Sequence, residues 1–211
     1  MRMLGLLLKR AGLAVTILAV ASVASAQDNA RFEASLGLIG VYSKTSNASL
    51  GTVTLTPTTS GGILASFRYH LKHLGRLEAN YSHTDNSQVY SVPGDTYRVM
   101  NGITEFTGAL VISPFHTRKI EPFFFAGGGS LKFNPGSQYL DGNLAPFGAK
   151  SDRTLAFLYG GGLDYPLKKS IALRMQYRGL LYKAPDFSVP ALYTGANGHM
   201  GEPSIGIVFK F

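Results

Sequence analysis

Ser82, His83 and Asp85 are the residue types of a nucleophilic relay, in which the histidine would take the serine proton and the acid would orient the histidine. Their spacing argues against it: adjacent residues of a strand point to opposite faces, so Ser82 and His83 could not easily share a proton, and no catalytic residue is expected. Of the five histidines, His70, His73, His83, His116 and His199, only His70 and His73 have the spacing of a helical metal pair, and they fall in a strand and a turn. The chain has no cysteine, which excludes disulfides and thiolate metal sites; no metal or cofactor is expected. Two glycine runs, Gly127-Gly128-Gly129 and Gly160-Gly161-Gly162, could suggest a phosphate cradle, but such a loop opens a helix and none follows. They are expected to relieve crowding near aromatic neighbours such as Phe124 and Tyr159.

A different set of ionisable residues alternates with apolar ones. Glu33, Arg68, Arg76, Glu78, Glu105, Arg174, Arg178 and Lys210 each sit opposite an apolar face of an extended segment. The region around Arg174 is clearest: Ile171, Leu173, Met175, Tyr177 and Leu181 share one face, and Arg174, Gln176 and Arg178 the other. Around Arg68, the face Ile63, Ala65, Phe67, Tyr69 and Leu71 opposes Ser66, Arg68 and His70. Leu77, Ala79 and Tyr81 oppose Arg76, Glu78, Asn80 and Ser82, while Phe106, Leu110 and Ile112 oppose Glu105 and Thr107. A period of two residues is the mark of a strand with two unlike faces.

Eight such segments are predicted, near 31–44, 61–71, 75–84, 102–113, 120–133, 153–165, 170–183 and 203–211. The connections alternate in length. Short ones, Lys72-His73-Leu74, Pro114 to Lys119 and Pro166-Leu167-Lys168-Lys169, follow the second, fourth and sixth segments. Long ones rich in Ser, Thr, Asn, Gly and Pro follow the others, about 45–60, 85–101, 134–152 and 184–201. An even strand number with short turns at one end and long loops at the other is the layout of an outer-membrane barrel. Alternation alone leaves open which face is inside, since a soluble barrel would turn its apolar face inward.

The N-terminus bears on that choice. Arg2, Lys9 and Arg10 precede an apolar stretch from Ala11 to Ala21 and then Ala24-Ser25-Ala26, the pattern of an export signal cleaved after a small-residue motif. Residues 1–26 are therefore expected to be a cleavable signal peptide, with Ala24 and Ala26 as the cleavage residues, and 27–211 the barrel domain. Removing it leaves 17 basic against 12 acidic residues, a formal charge of +5. That mild excess suits an anionic membrane surface better than nucleic acid, because no Lys/Arg run interleaved with aromatics occurs. Phe32, Tyr42, Tyr69, Tyr165, Tyr182 and Phe211 near segment ends would form interfacial belts.

On these residues the chain resembles the small eight-stranded outer-membrane β-barrel superfamily that includes the OmpA transmembrane domain, OmpX and Ail-like proteins, from Arg31 to Phe211. The most specific element is the ending Ile205-Gly206-Ile207-Val208-Phe209-Lys210-Phe211, similar to the C-terminal signal of such barrels. The resemblance implies an all-β, up-and-down antiparallel barrel in a Gram-negative outer membrane. It also implies that Phe209 and Phe211 engage the barrel-assembly machinery. With Phe211 as the last residue, no peptidoglycan-binding domain is expected.

Eight strands leave a lumen only wide enough for side chains, so the inward charges must pair, with Glu78 and Glu105 expected to face Arg174 and Arg178 across it. Interior pairs of this kind imply either a polar plug or a gated ion path. The expected function is a non-enzymatic structural or adhesion-like surface barrel in contact with outer-membrane lipids and lipopolysaccharide, with an extracellular ligand at its loops. Tyr90, Tyr97, Tyr139, Phe147, Phe187 and Tyr193 are candidates there to bind or to cap the mouth. Alternatives are a narrow pore for small solutes or ions, and a lipid-modifying enzyme of the acyltransferase kind.

Overall fold

A computed structural model describes residues 31–48, 53–71, 75–115 and 119–211. The signal segment with Ala24 and Ala26, the turn Lys72-His73-Leu74 and His116 lie outside the described residues. Period-two alternation drives extended chain throughout. Eight long strands form the wall: β1 (Phe32–Ser43), β4 (Ser60–Leu71), β5 (Gly75–Val92), β6 (Asp95–Ile112), β7 (Glu121–Leu140), β9 (Asp152–Lys168), β10 (Ile171–Lys183) and β11 (Asn197–Lys210). Each pairs antiparallel with its neighbour in that order, and β11 pairs back onto β1, so the eight-stranded wall closes on itself. Three short strands, β2 (Ser46–Asn47), β3 (Thr54–Pro57) and β8 (Asn143–Leu144), decorate one end.

The pairing is staggered. Following opposed residues once round the wall from Glu33, through Arg68, Glu78 and onward, returns to β1 at Ser43, ten residues further along. A stagger of that size on eight strands tilts them by roughly 40° from the barrel axis.

The long connections are more ordered than the turn-rich sequence suggests. The expected loop 85–101 is instead a continuation of β5 and β6, which stay paired from Arg76↔Val111 to Val92↔Asp95 and reverse over Pro93-Gly94. Proline at the first corner and glycine at φ +94° at the second suit a type II turn. The 134–152 region likewise continues β7 to Leu140, where Asp141 (φ 50°) and Gly142 (φ 81°) turn the chain into β8 with the positive φ values of a type I′ hairpin. Within 45–60, β3 lies along the upper part of β5, and β2 along β3. β11 starts at Asn197 rather than 203, and β9 runs to Lys168, leaving Lys169-Ser170 as the turn. These segments rise clear of the lipid-facing band, so no apolar solvent imposes a sharp two-face pattern on them; hydrogen bonding across the hairpins is enough to extend the strands.

Faces are sorted against the usual order of a soluble protein. Arg68 and Arg178 have no exposed surface, whereas Leu38 is 66% exposed and Leu155 82%. Apolar residues round the outside include Leu36, Ile63, Phe67, Leu77, Phe106, Leu110, Phe124, Phe157 and Ile205. Such a continuous apolar exterior suits hydrocarbon rather than water. At the short-turn end Phe32 packs against Phe67, Tyr69 and Phe211 with ring centroids 5.1–6.1 Å apart, an aromatic girdle. Tyr42 and Tyr165 also point outward. Tyr182 corrects the expected belt: it occupies an even position of β10, so it turns inward and packs on Phe133 with centroids 5.7 Å apart.

Candidate functional site

The inward row of β10 sets out how the lumen is filled. Going up the strand it reads Arg174, Gln176, Arg178, Leu180, Tyr182, from ionic through polar to apolar. The lower lumen holds four carboxylates, Glu33, Glu78, Glu121 and Asp164, and four cations, Arg68, Arg76, Arg174 and Lys210. Arg174 makes a bidentate pair with Asp164, both bonds 2.7 Å, and reaches Glu33 at 2.9 Å. A planar guanidinium held on two oxygens is fixed in orientation as well as in charge. Arg68 donates to Glu78 across the adjacent strand and lies 3.7 Å from Asp164 and 3.9 Å from Glu33. Its guanidinium carbon sits 4.2 Å from the centroid of the buried Phe123 ring, a cation–π contact. Arg76 pairs with Glu121, which also accepts from Lys210 at 3.3 Å, and His70 meets Glu33 at 2.8 Å.

A second cluster lies higher. Arg178 donates to Glu105 and, at 2.9 Å, to Glu202. Glu105 also accepts from Ser82 at 2.9 Å and Thr107 at 2.6 Å. Every one of the eight charged residues singled out from the sequence thus lies in the lumen, but the pairings differ in detail. Glu105 meets Arg178 across the barrel, whereas Glu78 is held mainly by its strand neighbour Arg68, with Arg174 at 3.8 Å. Glu121, Asp164 and Glu202 complete the network and were not singled out. Asp164, between outward Leu163 and Tyr165, carried the same alternation signal; Glu202 was hidden by Pro203, which broke the strand reading.

Above the ions the lumen is closed by an apolar plug. Leu131, Phe133, Leu158, Leu180, Leu192 and Met200 are buried there together with Tyr90 and Phe187. Phe187 belongs to the 184–196 connection, which folds inward through Phe187 and Leu192 around a single 3-10 turn, Pro190–Leu192. Its ring meets those of Tyr90 and Phe133 edge-on, both at 6.4 Å, and the Tyr90 hydroxyl donates to Pro185 O at 2.5 Å. Tyr90 and Phe187 therefore cap the mouth from within, and Tyr97 packs on Phe147 at 5.3 Å. Tyr193 is the well-exposed one of the loop aromatics.

The remaining chemistry-bearing residues separate. Ser82 turns into the lumen toward Glu105, while His83 faces outward near Thr104 and Asp85, so no relay forms between them. Gly160 and Gly162 face the lumen where any Cβ would strike the Phe125 and Phe123 rings at 2.5 and 2.6 Å; the small residues make room for buried aromatics.

A closed cylinder of eight antiparallel strands, with ions sealed inside and apolar side chains outside, belongs to the class of bacterial outer-membrane β-barrels. No family model and no curated protein matches the chain. Among solved structures it is similar to Neisserial surface protein A, at 17% identity over 85% of this chain and 97% of that one, with a TM-score of 0.49. It is similar to the Yersinia pestis attachment invasion locus protein Ail, crystallised with the heparin analogue sucrose octasulfate, at 15% identity over 86% and 99%, TM-score 0.49. It is also similar to OprG of Pseudomonas aeruginosa, at 15% identity over 86% and 96%, TM-score 0.47.

Proposed function

We propose that the chain is a non-enzymatic surface barrel that anchors in the outer membrane and binds extracellular ligands through the wall raised above it, rather than conducting solutes. The observation that carries this reading is the filled lumen: two ionic clusters lie in series beneath a plug of buried aromatic and aliphatic side chains. A path for ions would have to break buried pairs and displace Phe187 and Leu192 together. The same end of the molecule projects β5, β6 and the β7–β8 hairpin as paired strands, a rigid scaffold of the kind on which binding surfaces are built. In the same reading residues 1–26 are removed after Ala26, and Phe209, on the outward face of β11, and Phe211, just past its end, are what the assembly machinery grips.

Two measurements test it. In planar bilayers the refolded protein should give no discrete conductance steps; regular steps altered by Glu78→Gln would establish a conduit instead. Cells displaying the chain should bind immobilised host matrix, and a version in which 86–101 is replaced by a two-residue Asn-Gly turn should lose at least tenfold in retained cells while still migrating as a folded barrel.

A further inference from the structure

Charge is distributed unequally between the two ends of the barrel. At the loop end, exposed Lys44, Arg98, Lys150 and Lys183 stand among exposed Asp85, Asp95 and Asp141. At the short-turn end Arg31, Lys119, Lys168 and Lys169 are exposed, and among the described residues no acidic side chain there is. The acids of that half, Glu33, Glu78, Glu121 and Asp164, are buried in the lower ionic cluster, where four cations already match them. Only the main-chain carboxylate of the last residue, Phe211, offsets one of the exposed charges.

The mouth of the lumen continues the same pattern. In each pair that reaches it the nitrogen side chain faces out and the carboxylate lies beneath: His70 is 32% exposed over Glu33 at 1%, and Lys210 22% over Glu121 at 11%. The Lys169-Ser170 turn is held to this face by the Lys210 N–H, which donates to Ser170 O at 2.9 Å.

One residue along a tilted strand changes height by about 2.5 Å and one strand round the stagger by about 3 Å. Arg31, Lys119 and Lys168 then fall within about 5 Å of one level, roughly 5–10 Å below Glu33, on a cylinder about 15 Å across at its Cα atoms. The exposed apolar residues nearby are Phe115, Ile120 and Leu167. Leu167 follows Leu163 and Tyr165 on the outward side of β9, so it belongs to the lipid-facing wall and leaves the end face to cations.

The short turns of such a barrel face the periplasm. We propose that this end face docks on the cell wall, binding carboxylates of the peptidoglycan stem peptides through Arg31, Lys119, Lys168 and Lys169, by the barrel's own turns rather than by a separate domain. Phospholipid head groups ring the wall and stop at its circumference, whereas the cationic field continues across the mouth, where an extended polyanion can lie. A folded protein would need an apolar centre to dock on, and the end face offers charge instead. Single exposed pairs are weak, so the cations act together on a polymer that repeats its carboxylates. This inference rests on the outer-membrane setting and not on the adhesive role; a failure of cell binding leaves it standing.

The full barrel, refolded in detergent micelles, is pelleted with sacculi freed of bound protein. It should sediment at low salt and at least tenfold less at about 0.5 M NaCl, where the screening length shrinks to about 4 Å. Sacculi whose peptide carboxyl groups have been converted to amides should retain at least tenfold less. Arg31→Glu, Lys119→Glu, Lys168→Glu and Lys169→Glu together should lose at least tenfold, arginine at the three lysines should keep binding, and Lys44→Glu with Lys183→Glu at the other end should change nothing. In cells, a photoreactive phenylalanine analogue in place of Lys169 should leave the barrel attached to sacculi boiled in detergent. Unchanged sedimentation of the fourfold variant while it still shows heat-modifiable migration, equal retention by amidated sacculi, or a photo-adduct with lipid or with a protein of discrete mass in place of sacculi would each overturn the proposal.

Discussion

Up to the level of Arg178 the lumen is crossed by guanidinium–carboxylate pairs; above Arg178 it is filled by Leu180, Tyr182, Phe133 and Phe187. The two regions fill the same cylinder but depend on the rest of the molecule differently. In the lower one, Arg174 of β10 bonds Asp164 of β9 and Glu33 of β1, so its charges are satisfied only once distant strands have closed on each other. In the upper one, Phe187 and Leu192 come from a connection laid over a wall that already exists. Ionic pairing therefore belongs to closure itself, while the apolar plug can open without undoing the barrel.

Removing a partner from the lower region should have the largest effect. Arg174→Leu takes the bidentate partner from Asp164 and the 2.9 Å bond from Glu33, leaving Arg68 at 3.7 and 3.9 Å as the guanidinium they share, a loss of about 3–5 kcal/mol, read as a lower urea midpoint in vesicles and loss of the heat-modifiable band. Phe187→Ala should cost up to about 3 kcal/mol but locally: protease should cut within 184–196 while the membrane-embedded band persists. Loss of that band along with the cleavage would mean the two regions are one cooperative unit. Tyr90→Phe deletes the bond to Pro185 O and should weaken plug closure by about 1 kcal/mol, seen as moderately faster cleavage at the same connection. The smallest effect is expected for Gly142→Ala, where φ +81° penalises a side chain in otherwise open space: about 1 kcal/mol, confined to faster amide exchange at the β7–β8 tip.

The difference between the regions also decided what could be read from the sequence. Strands in lipid carry a sharp contrast between faces, and β10 showed it plainly: Leu173, Met175 and Tyr177 outside, Arg174, Gln176 and Arg178 inside. The upper hairpin of β5 and β6 mixes polar with apolar residues on its inner face, Asn86, Gln88 and Asn101 bonded to one another alongside buried Tyr90 and Val99, so its strands looked like loop. Phe187 lies at φ 54° with Ser188 at φ 59°, a backbone shape no local pattern announces; its inward turn is set by the cavity that Tyr90 and Phe133 leave. Glu202 was hidden for a different reason, since a proline at 203 reads as an interruption even though the strand runs through it.

The central claim is that hydrocarbon lies outside the cylinder and the ions within. The chain has no tryptophan, so single tryptophans at two positions report on the two faces: Leu38→Trp on the outer wall and Leu180→Trp in the lumen. In vesicles containing brominated phosphatidylcholine, fluorescence of the first should be strongly quenched and that of the second nearly untouched. Equal quenching, or stronger quenching at position 180, would contradict the account.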